Sequence, residues 1–211
     1  MLWGPGNTVT ENNGRLMLSV FDAIKNTFLP AGMVALAVLD QKRTISGAQG
    51  LGGEIGHTII APSAGMWGSV EKLAAGPAIA REAVLRLEAG AESIIPDEVG
   101  GDLSRVTAKV VGQSAAKGDA LGKELIARSG RHVGVLIANL MLILNPEIFV
   151  IGGGVSNTGD LLLEPMREAV RELTIDVSYW RDVPIVRASL GEDVGLIGAA
   201  ALVQVADTAL G

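Results

Sequence analysis

The spacing of apolar and polar positions changes along this chain, and the changes mark out alternating strands and helices. "RLMLSVFDAIKNTF" spaces its apolar residues amphipathically and meets Leu29-Pro30, a stop signal, so it predicts a helix over 15–28. "MVALAVLD" is a short continuous apolar run, the pattern of a buried strand. "QKRTISGAQGLGGEIGHTIIAP" then sets five glycines between the β-prone pieces Thr44-Ile45 and Thr58-Ile59-Ile60, a strand, loop, strand arrangement.

From Ser69 the period becomes helical. "SVEKLAAG" ends at Gly76, Pro77 suits the first turn of "PAIAREAVLRLEAG", and Gly90 can close that helix. A polar connection, "AESIIPDEVGGDLS", leads to a predicted helix from about Arg105 to Lys117. Gly118-Asp119 punctuates, and Asp119 can cap a long helix running to Leu144. "EIFVIGGGVS" reads as a buried strand entering a glycine turn, followed by a helix in "TGDLLLEPMREAVREL", a strand in "VPIVRASL" and a last helix over about 194–210. Strand and helix alternating in this way imply an α/β architecture with at least partly parallel pairing.

One segment, "VGVLIANLMLILNPEIFVIGGG", has the hydropathy of a membrane span, but Asn139 interrupts it and Asn145-Pro146 breaks it. A buried helix running into a buried strand is the reading adopted, and no membrane partner is expected. With 48% hydrophobic residues, 19% charged and 28 glycines, the chain of 211 residues reads as a globule with many tight turns. Aromatic residues make up only 3%, so aliphatic and alanine packing must build the core. The net charge of −6 and the lack of a Lys/Arg cluster with interleaved aromatics argue against a nucleic-acid surface. There is no cysteine, which excludes disulfides and thiolate metal sites and is compatible with a reducing cytoplasm, the location expected.

Three places carry candidate chemistry. In "GEIGH", Gly53 and Gly56 flank Glu54 and let the backbone aim Glu54 and His57 into one cavity. A carboxylate acceptor and an imidazole suit a polyhydroxyl ligand, and the imidazole could also ligate a metal; a histidine bonded inside a plain turn is the competing explanation. In "IFVIGGGVS", three glycines after an apolar strand permit close backbone approach to a ligand, or only a tight turn. Glu71 lies in the first turn of the helix beginning near Ser69, where the helix dipole alone accounts for an acid. His132, in the long helix, reads as packed or partly exposed rather than catalytic.

Taken in order, "SGAQGLGGEIGH", "SVEKLAAGPAIAR", "NPEIFVIGGGVS" and "LGEDVGLIGAAAL" resemble the C-terminal lobe of the ROK family of bacterial repressors and sugar kinases, over roughly Gly47 to Val203. The resemblance implies an actin/hexokinase-like (ribonuclease H-like) α/β lobe spanning 47–211, with residues 1–46 as a reduced N-terminal segment where the family carries its ATPase lobe. It further implies a hexose held by Glu54, His57 and Glu71, and ATP with Mg beside Gly152, Gly153 and Gly154. A homodimer formed through the C-terminal lobe is implied as well. Relatives hold a structural zinc with three cysteines and the motif histidine; Met66 stands where one of those cysteines belongs, so zinc is not expected. The family's D-x-G-G-T loop, its Asn-Asp pair with the catalytic base, and its G-T-G-x-G loop have no counterpart in these residues, and Asp22 and Asp40 do not follow an Asn. Three functions stay open: an ATP-dependent hexose kinase or a fragment of one, a non-catalytic sugar-sensing module, and a structural or interaction domain.

Overall fold

The computed structural model describes residues 17–19, 37–40, 43–44, 48–49, 54–63 and 66–188. Three short strands come first: β1 (Met17–Ser19), β2 (Ala37–Asp40) and β3 (Arg43–Thr44). A two-stranded ribbon follows, β4 (Ile59–Ser63) with β5 (Met66–Ser69), and then helices α1 (Val70–Ala74), α2 (Gly76–Glu88), α3 (Ile95–Glu98), α4 (Ala108–Ala116) and α5 (Ala120–Leu144). Strand β6 (Phe149–Ile151), helices α6 (Asp160–Leu173) and α7 (Val177–Arg181), and strand β7 (Ile185–Arg187) complete the order.

The main sheet has the strand order β3-β2-β1-β6-β7. Its first three strands pair antiparallel, and β1, β6 and β7 pair parallel, with Leu18 opposite Phe149 and Phe149 opposite Ile185. A parallel pair needs a crossover, and α6 supplies it between β6 and β7. The helix predicted over 15–28 is therefore overturned at Met17–Ser19. Pairing on both sides, with β2 and with β6, outweighs a weak local helical pattern, which a short apolar run cannot distinguish from a strand. The expected last helix at about 194–210 lies outside the described residues.

Punctuation residues behave as their chemistry dictates. Gly90 takes φ +90° and closes α2; Gly118 takes φ +104° ahead of α5. Asp119 caps α5 and does more: one carboxylate oxygen accepts from the Gly122 N–H at 2.7 Å and the other from the Ile94 N–H at 2.9 Å, so it ties the α5 start to the α2–α3 connection. Asn145 ends α5 in the left-handed conformation, φ 41°, and Pro146 follows. No described helix is long and apolar enough to cross a membrane. The polar connection after Gly90 holds the short α3, and α4 starts at Ala108 because Thr107 caps it, accepting from the Val110 N–H.

The core sits between the sheet and the helices, with Phe149, Leu125, Ile126, Leu136, Ile137, Met141 and Met166 each 2% exposed or less. Its tightest seam is α5 on α6. A Cβ at Gly130 would stand 2.3 Å from the Leu162 carbonyl oxygen, and one at Gly134 would stand 2.5 Å from that of Met166. The two helices touch backbone to backbone there, and only glycine fits. Arg131 and Glu172 pair across the same seam at 2.7 Å, an exposed bridge that adds little.

Two substitutions test this account. Gly130→Ala is expected to cost about 3 kcal/mol, because backbone rather than a mobile side chain blocks the new methyl. In Ser114, the buried hydroxyl has no partner among the described residues, so Ser114→Ala is expected to be neutral or stabilising by up to about 1 kcal/mol. Chemical denaturation of both variants checks the pair, and a neutral Gly130→Ala would refute the backbone contact.

Candidate functional site

The glycine-rich stretch folds around one apolar anchor. Ile55 packs against the core and Gly56 is buried, so residues 55–57 form a tight 3-10 turn closed by the His57 N–H on the Glu54 carbonyl at 3.2 Å and the Thr58 N–H on the Ile55 carbonyl at 3.0 Å. With Ile55 turned inward, Glu54 is left half-buried and His57 exposed. The same short apolar residue explains why the acid and the imidazole share one turn yet differ in burial.

The ribbon then brings this turn back to α1. Strands β4 and β5 pair antiparallel, Ile59 opposite Ser69, and the Val70 N–H donates to the Thr58 carbonyl at 3.0 Å. The 3-10 turn consequently packs on α1, in whose first turn Glu71 stands. The short path from His57 to Glu71 is thus a plain β-ribbon, with Met66 at the first position of its return strand. No group of three or more His, Asp or Glu converges as a metal site among the described residues. One oxygen of the Glu71 carboxylate, Oε2, is buried and has no hydrogen-bond partner there. A buried carboxylate oxygen without a donor is costly, and a ligand hydroxyl would satisfy it.

The glycine turn lies past the other end of α1. Gly152 follows β6; Gly153 takes φ +89° and accepts at its carbonyl from the Ser156 N–H at 3.0 Å and the Ser156 Oγ at 2.7 Å. Gly153 and Gly154 are exposed, and a Cβ at either would meet nothing within 4 Å, so the backbone here is open to a ligand. The 3-10 segment that follows, Gly154–Thr158, packs on α4, where Gly112 leaves room for Thr158, and Val155 stands beside Gly76 at the α2 start. The structure therefore brings Glu54, His57 and Glu71 together at one end of α1 and sets Gly152 to Gly154 near the other, beyond Gly76. An open groove of about 400 Å³ between α2 and the turn at Leu103–Arg105, lined in part by Arg81, Val84, Glu88 and Ser104, holds none of these residues.

What the sequence did not disclose is the seam beneath α1. Ser129 and His132, three apart and so on one face of α5, both meet this helix: the Ser129 Oγ donates to the Ala74 carbonyl at 2.8 Å, and the imidazole faces the Leu73 carbonyl. Burial of the imidazole holds its pKa below the ordinary histidine value, and Nδ1 is buried without a partner among the described residues. As pH falls, the unfolded chain therefore takes up this proton before the folded one does. The stability that neutral His132 contributes is whole above the ordinary value, about 6.5, and is lost as pH falls through the lower folded-state value. Between about pH 7.5 and about pH 5, the Tm of the wild type is expected to fall by roughly 1–3 °C more than that of His132→Gln, measured by differential scanning calorimetry.

Residues 31–206 match the ROK family model. A glucokinase of Halalkalibacterium halodurans is 34% identical over 170 residues, which cover 76% of this chain and 50% of that protein. The DNA-binding transcriptional dual regulator NagC of Escherichia coli is 31% identical over 172 residues, 79% of this chain and 40% of that protein. Among solved structures, a ROK family glucokinase from Streptomyces griseus in complex with glucose and AMPPNP superposes with a TM-score of 0.71 at 25% identity, covering 90% of this chain and 60% of that one. The chain spans about half the length of such relatives, and its mixed, helix-rich α/β fold is the actin/hexokinase-like fold of the ROK sugar kinases. The chain belongs to the ROK family.

Proposed function

We propose that this chain forms the sugar-binding side of a ROK-type hexose kinase, with Glu54, His57 and Glu71 receiving the hydroxyls of a glucose-like hexose. The observation that carries this reading is the buried Oε2 of Glu71, which has no partner among the described residues and is held beside the Glu54–His57 turn by the β4–β5 ribbon. Sugar hydroxyls are donors as well as acceptors. Two carboxylates supply acceptors, and the imidazole can do both. The open glycine turn, Gly152 to Gly154, fits an adenine nucleotide approaching its backbone. ATP with Mg would supply the phosphoryl group to be transferred.

Phosphoryl transfer to a sugar also needs a base within hydrogen-bond reach of the attacking hydroxyl. A second reading, a sugar-sensing module that binds without turnover, is in line with the similarity to a transcriptional regulator. Both readings require the sugar contacts and differ only in the chemistry.

Calorimetric titration with glucose and N-acetylglucosamine tests the shared part. Glu71→Ala is expected to weaken binding by about 10–100-fold, the worth of hydrogen bonds to a charged acceptor, and His57→Ala by a similar factor. Binding of neither sugar by the wild type, or unchanged affinity in Glu71→Ala, would refute the site. Release of ADP with glucose separates the readings: turnover above background establishes the kinase, and tight binding without turnover establishes the sensor.

A further inference from the structure

Helix α1 is too short to hold itself in place. In a helix of five residues nearly every carbonyl lacks an intrahelical donor, and an isolated helix of this length does not form in water. Yet three of the last four carbonyls of α1 have hydrogen-bond partners. Glu71 O accepts from the Ala75 N–H at 3.2 Å. Lys72 O accepts from Arg81 Nη2 on α2 at 3.0 Å and Ala74 O from Ser129 Oγ on α5 at 2.8 Å, and the His132 imidazole lies beside the Leu73 carbonyl. Two of the three donors are side chains on two other helices.

We infer that Ser129, His132 and Arg81 are positioning residues: by holding the carbonyls of α1 they fix the place of Glu71 relative to the Glu54–His57 turn. The inference rests on the reading of Glu71 as a sugar-contacting acid. The three side chains are unequal. Ser129 is 2% exposed, so its bond is shielded from competing water. Arg81 makes its bond at the exposed surface and contributes least. His132 lies between them in burial, beside the Leu73 carbonyl. At the opposite end of α1, Ser69 Oγ caps the Lys72 N–H at 3.4 Å and the Val70 N–H donates to the Thr58 carbonyl at 3.0 Å. Binding groups need to be held within roughly half an ångström of their productive place, and for Glu71 that constraint comes through the backbone of α1 rather than through its own side chain.

The test uses the full chain and two readouts: glucose affinity by calorimetry, and hydrogen exchange of the α1 amides. Ser129→Ala and His132→Leu are expected to weaken glucose binding about tenfold and to speed exchange at Leu73, Ala74 and Ala75 about tenfold, while the α4 amides keep their wild-type rates. His132→Gln restores an N–H donor and should recover affinity to within about threefold of the wild type. If Ser129→Ala does not fold, the contrast between His132→Leu and His132→Gln carries the same information. Wild-type affinity in both donor-deleting variants, alongside lost binding in Glu71→Ala, overturns the positioning role and leaves the sugar site standing. If Glu71→Ala binds as the wild type does, or the wild type binds no glucose, the sugar-site reading fails. Exchange alone then decides whether α1 is held by these donors, and unchanged α1 rates in both variants overturn the inference.

Discussion

The backbone contact between α5 and α6 is the constraint from which the rest of the arrangement follows. Gly130 and Gly134 bring the two helices so close that neither can rotate or slide without collision. Because α6 is the crossover between β6 and β7, fixing it against α5 fixes the parallel strands and the glycine turn that leaves β6. The neighbouring residues of α5, Ser129 and His132, look toward α1 instead. One helix therefore carries, within six residues, the reference for both α1 and the glycine turn.

Local chemistry and tertiary context divide the labour here. Asp119, Gly90, Gly118 and Asn145 each act through their own side chain or backbone freedom, and the boundaries they set for α2 and α5 could be read from the sequence. Strand β1 could not: Met17–Ser19 has no strong preference of its own and becomes a strand because β2 and β6 flank it. Strand β5 was likewise hidden, since Met66–Ser69 directly precedes a helix start and is defined by its partner β4. The onset of α4 moved from about Arg105 to Ala108 because the Thr107 hydroxyl, rather than the first apolar residue, decides where the helix begins.

The candidate site shows the same division. Glu54 and His57 share a motif short enough to read directly, and Glu71 was placed by resemblance alone. Their juxtaposition depends on the ribbon closing through Thr58 and Val70, a pairing that no local pattern discloses. The donors under α1 were invisible in the sequence for a simple reason: Ser129 reaches a carbonyl 55 positions away, and a serine in a helix gives no sign of which backbone it serves.

The crowding along α5 also bears on how this lobe can change over time. Residues 129–134 answer to two partners at once, α1 on one side and α6 on the other. A substitution there that improves the fit to one neighbour disturbs the other, so no single compensating change can repair it. Exposed stretches such as the α6–α7 connection, where Ile175 is 80% exposed, carry no such double obligation. Sequence drift in this lobe is accordingly expected to concentrate at its rim while the beam beneath the turns stays as it is.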